Sequence, residues 1–132
     1  DPRRFRTALA QRRDGVVVGG FDVETLAPEL PQARQAGMVL VGWHAAAAPG
    51  PTRSLFTNVS SAPEEVARLA ADYVTASANG PVGVVIFNDS RFPIANAKAG
   101  RMAQIIGKCG QCKLLAVENM AIEHARSSVP AA

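Results

Sequence analysis

Two groups of residues in this 132-residue chain have the types and spacing that chemistry asks for. The first is Cys109-Gly110-Gln111-Cys112, a CxxC pair. A thioredoxin-type redox pair sits at a helix N-terminus, where the helix dipole lowers the thiol pKa. Here the pair follows a helical pattern ending near Ile105-Ile106-Gly107 and precedes the apolar run Lys113–Val117, so it lies at a helix C-terminus, which disfavours a thiolate. Zinc asks for four ligands at recognisable spacing. Only His44 and His124 remain to supply them, and neither is placed like a finger ligand. A small structural disulfide, which needs an oxidising compartment, a pair of free thiols, and a metal or redox role all stay open.

The second group is a row of polar and aromatic side chains at the ends of apolar runs. Asp22 follows Val16-Val17-Val18-Gly19-Gly20, Trp43-His44 closes Met38–Trp43, and Asn88, Asp89, Arg91 and Phe92 follow Val82–Phe87. In α/β folds the ligand crevice lies at the carboxyl ends of the strands. A carboxylate and an amide can share hydroxyl hydrogen bonds, an Arg can take an anionic or hydroxylated group, and an aromatic face can pack on a ligand. The bland alternative is that Asp89 or Ser90 caps the following helix and that Trp43 belongs to the core. No nucleophile elbow, P-loop or GxGxxG motif occurs. Gly19-Gly20 is followed by Phe21-Asp22, which puts bulk and negative charge where a phosphate would lie.

The elements that must position these residues alternate. The spacing of Phe5 and Leu9 predicts a helix over 2–13, with arginines around it. Val16–Val18 is a short β-branched strand. Residues 23–36 carry Leu26, Leu30 and Ala33 at helical spacing, with Pro28 and Pro31 near the start or distorting it, and Gly37 is a stop. Met38–Trp43 is a second buried strand, Ala45–Thr52 a loop, and Leu55–Val59 a further short strand. Ser61-Ala62-Pro63-Glu64 matches a capping box. Behind it Val66, Leu69, Ala70, Tyr73 and Val74 predict an amphipathic helix. Val82–Phe87, a helix to about Lys108, and the strand Lys113–Val117 complete the pattern, which fades from Glu118 onward. The fold class this predicts is α/β: three layers, with a mostly parallel sheet flanked by helices.

Composition sets the bounds. Apolar residues are 48% and charged residues 19%, as in a globular chain rather than a disordered one. The aromatic share of 5% argues against a stacking platform for single-stranded nucleic acid. The net charge of +3 is concentrated in Arg3, Arg4, Arg6, Arg12 and Arg13, which read as the solvated face of a helix, so no nucleic-acid partner is expected. No run approaches the ~18 apolar residues of a membrane span. The chain starts with Asp1 rather than Met, as a processed protein or a piece of a longer one would.

Four stretches carry a family resemblance: DGVVVGGFD, AGMVLVGWHAAAAPG, TNVSSAPEEVARLAADYV and GVVIFNDSRFPIANAKAGRM. Their order and spacing resemble periplasmic sugar-type substrate-binding proteins of ABC transporters, whose fold is shared by the ligand-sensing domains of lactose-repressor-like regulators. The family's members are longer, so the resemblance implies a middle piece: residues 1–57 as the end of a first α/β lobe and 58–132 as the start of a second. The two are also able to pack as one domain in a piece of this length, or to pair with a second copy that protects exposed strand edges.

The resemblance further implies non-catalytic capture of a small polar ligand, of sugar type, for delivery to a membrane permease, in a periplasmic or exported location. It places Asp22, His44, Asn88 and Asp89 on loops facing the ligand. Lys98 matches the family's basic residue on the first helix of the second lobe, and CxxC before KLLAV looks like a feature of the exported members. The expected site is then Asp22, Trp43, His44, Asn88, Asp89, Arg91, Phe92 and Lys98, with no catalytic residue, metal or cofactor. A regulator's effector domain, and a small α/β enzyme using Asp22 or His44 as a base, are the alternatives.

Overall fold

The computed structural model describes residues 2–131. The chain forms two compact units, Asp1–Ser61 and Ala62–Ala132. Each is a parallel β-sheet with helices against it, the α/β arrangement expected from the alternating pattern.

In the first unit, helix α1 (Pro2–Ala10) buries Phe5 and Leu9, one turn apart, and leaves its arginines outward; Arg6 pairs with Glu29 at 3.1 Å. Strands β1 (Gly15–Gly19), β2 (Val39–Trp43) and β3 (Thr57–Val59) lie in that order, all parallel. The helix expected over 23–36 is divided. A 3-10 turn covers Val23–Leu26, and helix α2 runs Leu30–Gln35 with Pro31 in its first turn, where a missing N–H costs nothing. Gly37 ends α2 at φ +69°, with Met38 N–H bonded to Ala33 C=O and Gly37 N–H to Arg34 C=O. That is the double bond of a Schellman stop, and it is why glycine sits there. The core joins Phe5, Leu9, Val18, Val23, Leu26, Leu30, Met38, Leu40 and Leu55.

The opposite face of this sheet is apolar and open: Val17 is 71% and Trp43 59% exposed, with Val39 and Val59 beside them. Trp43 is not part of the unit's buried cluster. The alternating pattern placed one set of β-branched residues inward and the other outward, as a pleated strand must. Over the described residues, the helices of each unit bury one face of its sheet.

The second unit opens with helix α3 (Pro63–Ser77), followed by β4 (Val82–Asn88), α4 (Pro93–Ile106) and β5 (Cys112–Asn119). Strands β4 and β5 pair in parallel from Val82↔Cys112 to Asn88↔Asn119, with a register shift at Val84/Val85. The capping box does not form. Pro63 takes the first helical position, Ala62 becomes the cap residue without a side-chain bond, and Glu64 turns to Arg101 of α4 at 2.6 Å. The stripe on α3 also differs from expectation. Ala67 and Ala71 are buried, with Val74 packed beside them, whereas Leu69 and Tyr73 are exposed. Helix α3 packs along α4, whose inner face includes Ala99 and Ala103. Small residues face each other there, where large ones would hold the helices apart.

After β5 come a 3-10 turn (Ile122–His124), a short helix α5 (Ala125–Ser128) and a further 3-10 turn, in a region where the sequence pattern had faded. Among the described residues no helix is long and apolar enough to cross a membrane.

Candidate functional site

The carboxyl end of the β4–β5 sheet is a connected polar network. Register brings Asn88 beside Asn119, and Met120 N–H donates to Asn88 C=O at 2.8 Å. The Asn119 side-chain oxygen accepts from Ser90 N–H at 2.8 Å, which fixes the turn after β4 against the end of β5. On the first turn of α4, Asn96 donates its amide nitrogen to Ser90 C=O at 3.0 Å. Its oxygen must then be the acceptor for Asn88 Nδ2, at 2.8 Å. This sequence of bonds sets the orientation of both amides, and it leaves Asn88 Oδ1 buried with no partner among the described residues.

Asp89 is the buried carboxylate of the network. Its Oδ1 accepts from Arg91 Nε at 2.8 Å and its Oδ2 from Arg91 Nη2 at 2.6 Å and from Ile122 N–H at 2.9 Å. Asp89 does not cap α4, whose cap residue is Phe92 without a side-chain bond. The outer end of the Arg91 guanidinium holds Glu123, Nη1 to Oε1 at 2.9 Å and Nη2 to Oε2 at 2.6 Å. One arginine is thus clamped by two carboxylates, each in a two-bond fork. The guanidinium holds Asp89 far below the usual carboxylate range against the desolvation that opposes it, and lowers Glu123 to about 2. Arg91 is raised in turn by Asp89 first and Glu123 second. Arg91 also lies 5.5 Å over the Phe92 ring, so the guanidinium already covers one aromatic face.

Of the residues singled out from sequence, Asn88, Asp89, Arg91 and Phe92 are brought together here. Lys98 lies further along α4, half-buried, with no hydrogen bond or ion pair among the described residues. Sequence reasoning missed Asn96, Asn119 and Glu123. Asn119 was findable as the residue ending the neighbouring strand. Glu123 carried no such signal, since only folding brings it to a partner 32 positions away.

Asp22, Trp43 and His44 belong to the first unit, at the carboxyl ends of β1 and β2. Asp22 caps the 3-10 turn after β1, its Oδ1 accepting from Glu24 N–H at 3.0 Å. His44 has a left-handed backbone at φ 50°, unusual for a residue with a Cβ. Its amide donates to Val59 C=O at 3.1 Å, and its Nδ1 lies 2.8 Å from Ser60 Oγ. The Trp43 and His44 rings meet edge-on at 5.4 Å. No carboxylate is hydrogen-bonded to His44 among the described residues, so a Ser-His-Asp relay is not assembled.

The loop after His44 is organised by a residue sequence reading passed over. Asn58 of β3 is 1% exposed; its oxygen accepts from Ala45 N–H at 3.0 Å, and its nitrogen donates to Ala46 and Ala48 C=O at 3.2 and 2.7 Å. Gly42 makes room for it, because a Cβ there would lie 2.5 Å from Asn58 Oδ1.

Cys109 and Cys112 form a disulfide with Cα atoms 5.2 Å apart, between the end of α4 and the start of β5. The polar network is at the other end of the same strand, roughly 23 Å away at the usual strand rise. No cluster of metal-ligating side chains occurs among the described residues.

No family model and no curated protein sequence matches the chain. Solved structures do. A solute-binding protein of an ABC transporter from Burkholderia graminis, in complex with D-arabinose, superposes with a TM-score of 0.81 at 13% identity, over 98% of this chain and 45% of that one. A myo-inositol-binding protein from Caulobacter gives 0.72 at 13% identity, over 89% and 40%. An ABC-transporter solute-binding protein from Clostridium phytofermentas, with bound L-rhamnose, gives 0.70 at 18% identity, over 89% and 37%. The chain therefore has the fold of type I periplasmic binding proteins and spans less than half the length of these solved chains.

Proposed function

We propose that this chain is part of a solute-binding component of an ABC importer, which captures a small hydroxylated solute of sugar type without chemical conversion. The observation that carries the reading is the polar network at the carboxyl ends of β4 and β5, in a fold whose solved examples include complexes with D-arabinose, L-rhamnose and myo-inositol. Paired amides, a carboxylate and a guanidinium supply the mixed donors and acceptors that sugar hydroxyls require. Ligand binding at strand carboxyl ends is also the general rule for α/β sheets.

In this reading Asn88, Asp89, Arg91, Phe92 and Lys98 are the second unit's ligand residues, with Asn96 and Asn119 supporting them. Asp22, Trp43 and His44 are the first unit's. Residues 1–57 then stand as the end of one lobe and 58–132 as the start of another. The membrane permease of the transporter is the implied protein partner, and the location is periplasmic or otherwise exported. The Cys109–Cys112 disulfide supports this location over that of an intracellular regulator, since such bonds persist in oxidising compartments.

A thermal-shift panel of pentoses, hexoses, deoxyhexoses and inositols tests the reading. A concentration-dependent rise in Tm with at least one neutral member is expected, because a ligand bound only by the native state stabilises it. No shift with any member contradicts it.

A further inference from the structure

We infer that Glu123 is a specificity residue: by filling the outer fork of Arg91 it restricts the site to uncharged solutes and shuts out their carboxylate-bearing counterparts. This inference rests on the solute-binding reading above.

An arginine in a polar binding site is ordinarily an invitation to an anion, because its guanidinium offers parallel N–H pairs that match a carboxylate or phosphate. Here both such pairs are taken. Asp89 occupies the Nε/Nη2 side and Glu123 the Nη1/Nη2 end. Of the five N–H donors of a guanidinium, these bonds engage four, so one Nη1 N–H is left without a partner among the described residues. A single N–H suits a hydroxyl or ring oxygen. A carboxylate there is offered one N–H in place of the parallel pair that binds it most strongly.

Charge acts in the same direction. One guanidinium against two carboxylates leaves the cluster net negative, and an incoming anion meets like charge at short range. The two carboxylates are not equivalent. Asp89 is buried and holds the Ile122 amide as well as Arg91, so it belongs to the frame of the site. Glu123 is exposed, 54% at its side chain, and bonds Arg91 from outside. Its removal exposes the outer fork and neutralises the cluster while leaving the Asp89–Arg91 pair in place.

The test uses the whole chain, 15N-labelled, and its Glu123→Ala variant, with Glu123→Gln as the milder second variant that removes the charge and keeps the size. Sodium acetate, D-galactose and D-galacturonate are the probes; the last two differ only in a carboxylate for a hydroxymethyl group. Wild-type Arg91 side-chain N–H signals are expected to stay in place with acetate and galacturonate. In Glu123→Ala they are expected to shift saturably with both, and the affinity for galacturonate relative to galactose to rise about tenfold or more. Movement of wild-type Arg91 with acetate, or unchanged anion response in Glu123→Ala, overturns the inference. Absence of binding by galactose and every other neutral sugar overturns the solute-binding reading instead, and the acetate arm still decides whether Glu123 shields Arg91.

Discussion

Asp89 Oδ2 accepts the Ile122 amide at 2.9 Å, a bond between residues 33 positions apart. It fastens the turn after β4 to the segment after β5, and the same carboxylate aims Arg91. One side chain thus ties Arg91 and the segment after β5 to the same carboxylate. In Asp89→Ala the Ile122 N–H loses its acceptor and Arg91 keeps only Glu123. Amide exchange at Ile122 is expected to accelerate about tenfold or more, with little change in the first unit's core amides. Exchange at Ile122 equal to wild type would show that the bond does not hold the segment.

The same cluster gives the chain an acid limb. Glu123 and Asp89 both titrate below their ordinary values in the folded state because Arg91 binds their charged forms. In the unfolded chain such groups titrate near 4. A lowered folded pKa contributes stability that is complete above the unfolded value and is lost as pH falls toward the folded one. Urea midpoints are therefore expected to fall between about pH 4.5 and pH 2. The Glu123→Ala chain should show a shallower slope in that window. An identical slope would separate the cluster from acid stability. The contribution is expected to weaken with salt, since Glu123 and Arg91 are both about half exposed.

Much of this architecture was legible in the sequence because it follows from local rules. Short apolar runs at 16–18, 39–41 and 84–86, rich in β-branched residues, became strands, and Gly37 ended a helix at positive φ. What the sequence hid depends on neighbours. Leu69 and Tyr73 look like core on a helical wheel, yet Ala67 and Ala71 face inward because α4 approaches too closely for larger side chains. The candidate site was half visible for the same reason. Asn88 to Phe92 announce themselves at a strand end, whereas Asn96, Asn119 and Glu123 join only through the crossover and the register.

Asn58 is a residue whose loss should be costly in the first unit. It satisfies one buried amide and two carbonyls of the loop after β2. Asn58→Ala leaves these groups unpaired and is expected to destabilise the chain by about 2–4 kcal/mol. Gly42→Ala drives a Cβ against Asn58 and Leu55 and should cost about 1–3 kcal/mol. Because the two sites touch, the double variant is expected to be less destabilised than the sum. Strict additivity in urea unfolding would refute that coupling.

The disulfide is expected to serve stability and not the site. Its ring is short, with a sequence separation of three, so removal by Cys109→Ser with Cys112→Ser should cost no more than about 2 kcal/mol. Sugar binding should be unchanged, since the pair sits at the far end of β5 from Asn119. A loss of affinity beyond the loss of stability would tie the pair to the binding site.

The central claim is that the carboxyl edge of β4 and β5 holds a neutral sugar. Backbone amide spectra recorded while titrating D-arabinose, L-rhamnose or myo-inositol test it most directly. With at least one of them, saturable shifts are expected at 88–92, 96 and 119–123, while 109–112 stay still. Shifts absent for all three, or confined to residues outside that edge, would contradict it.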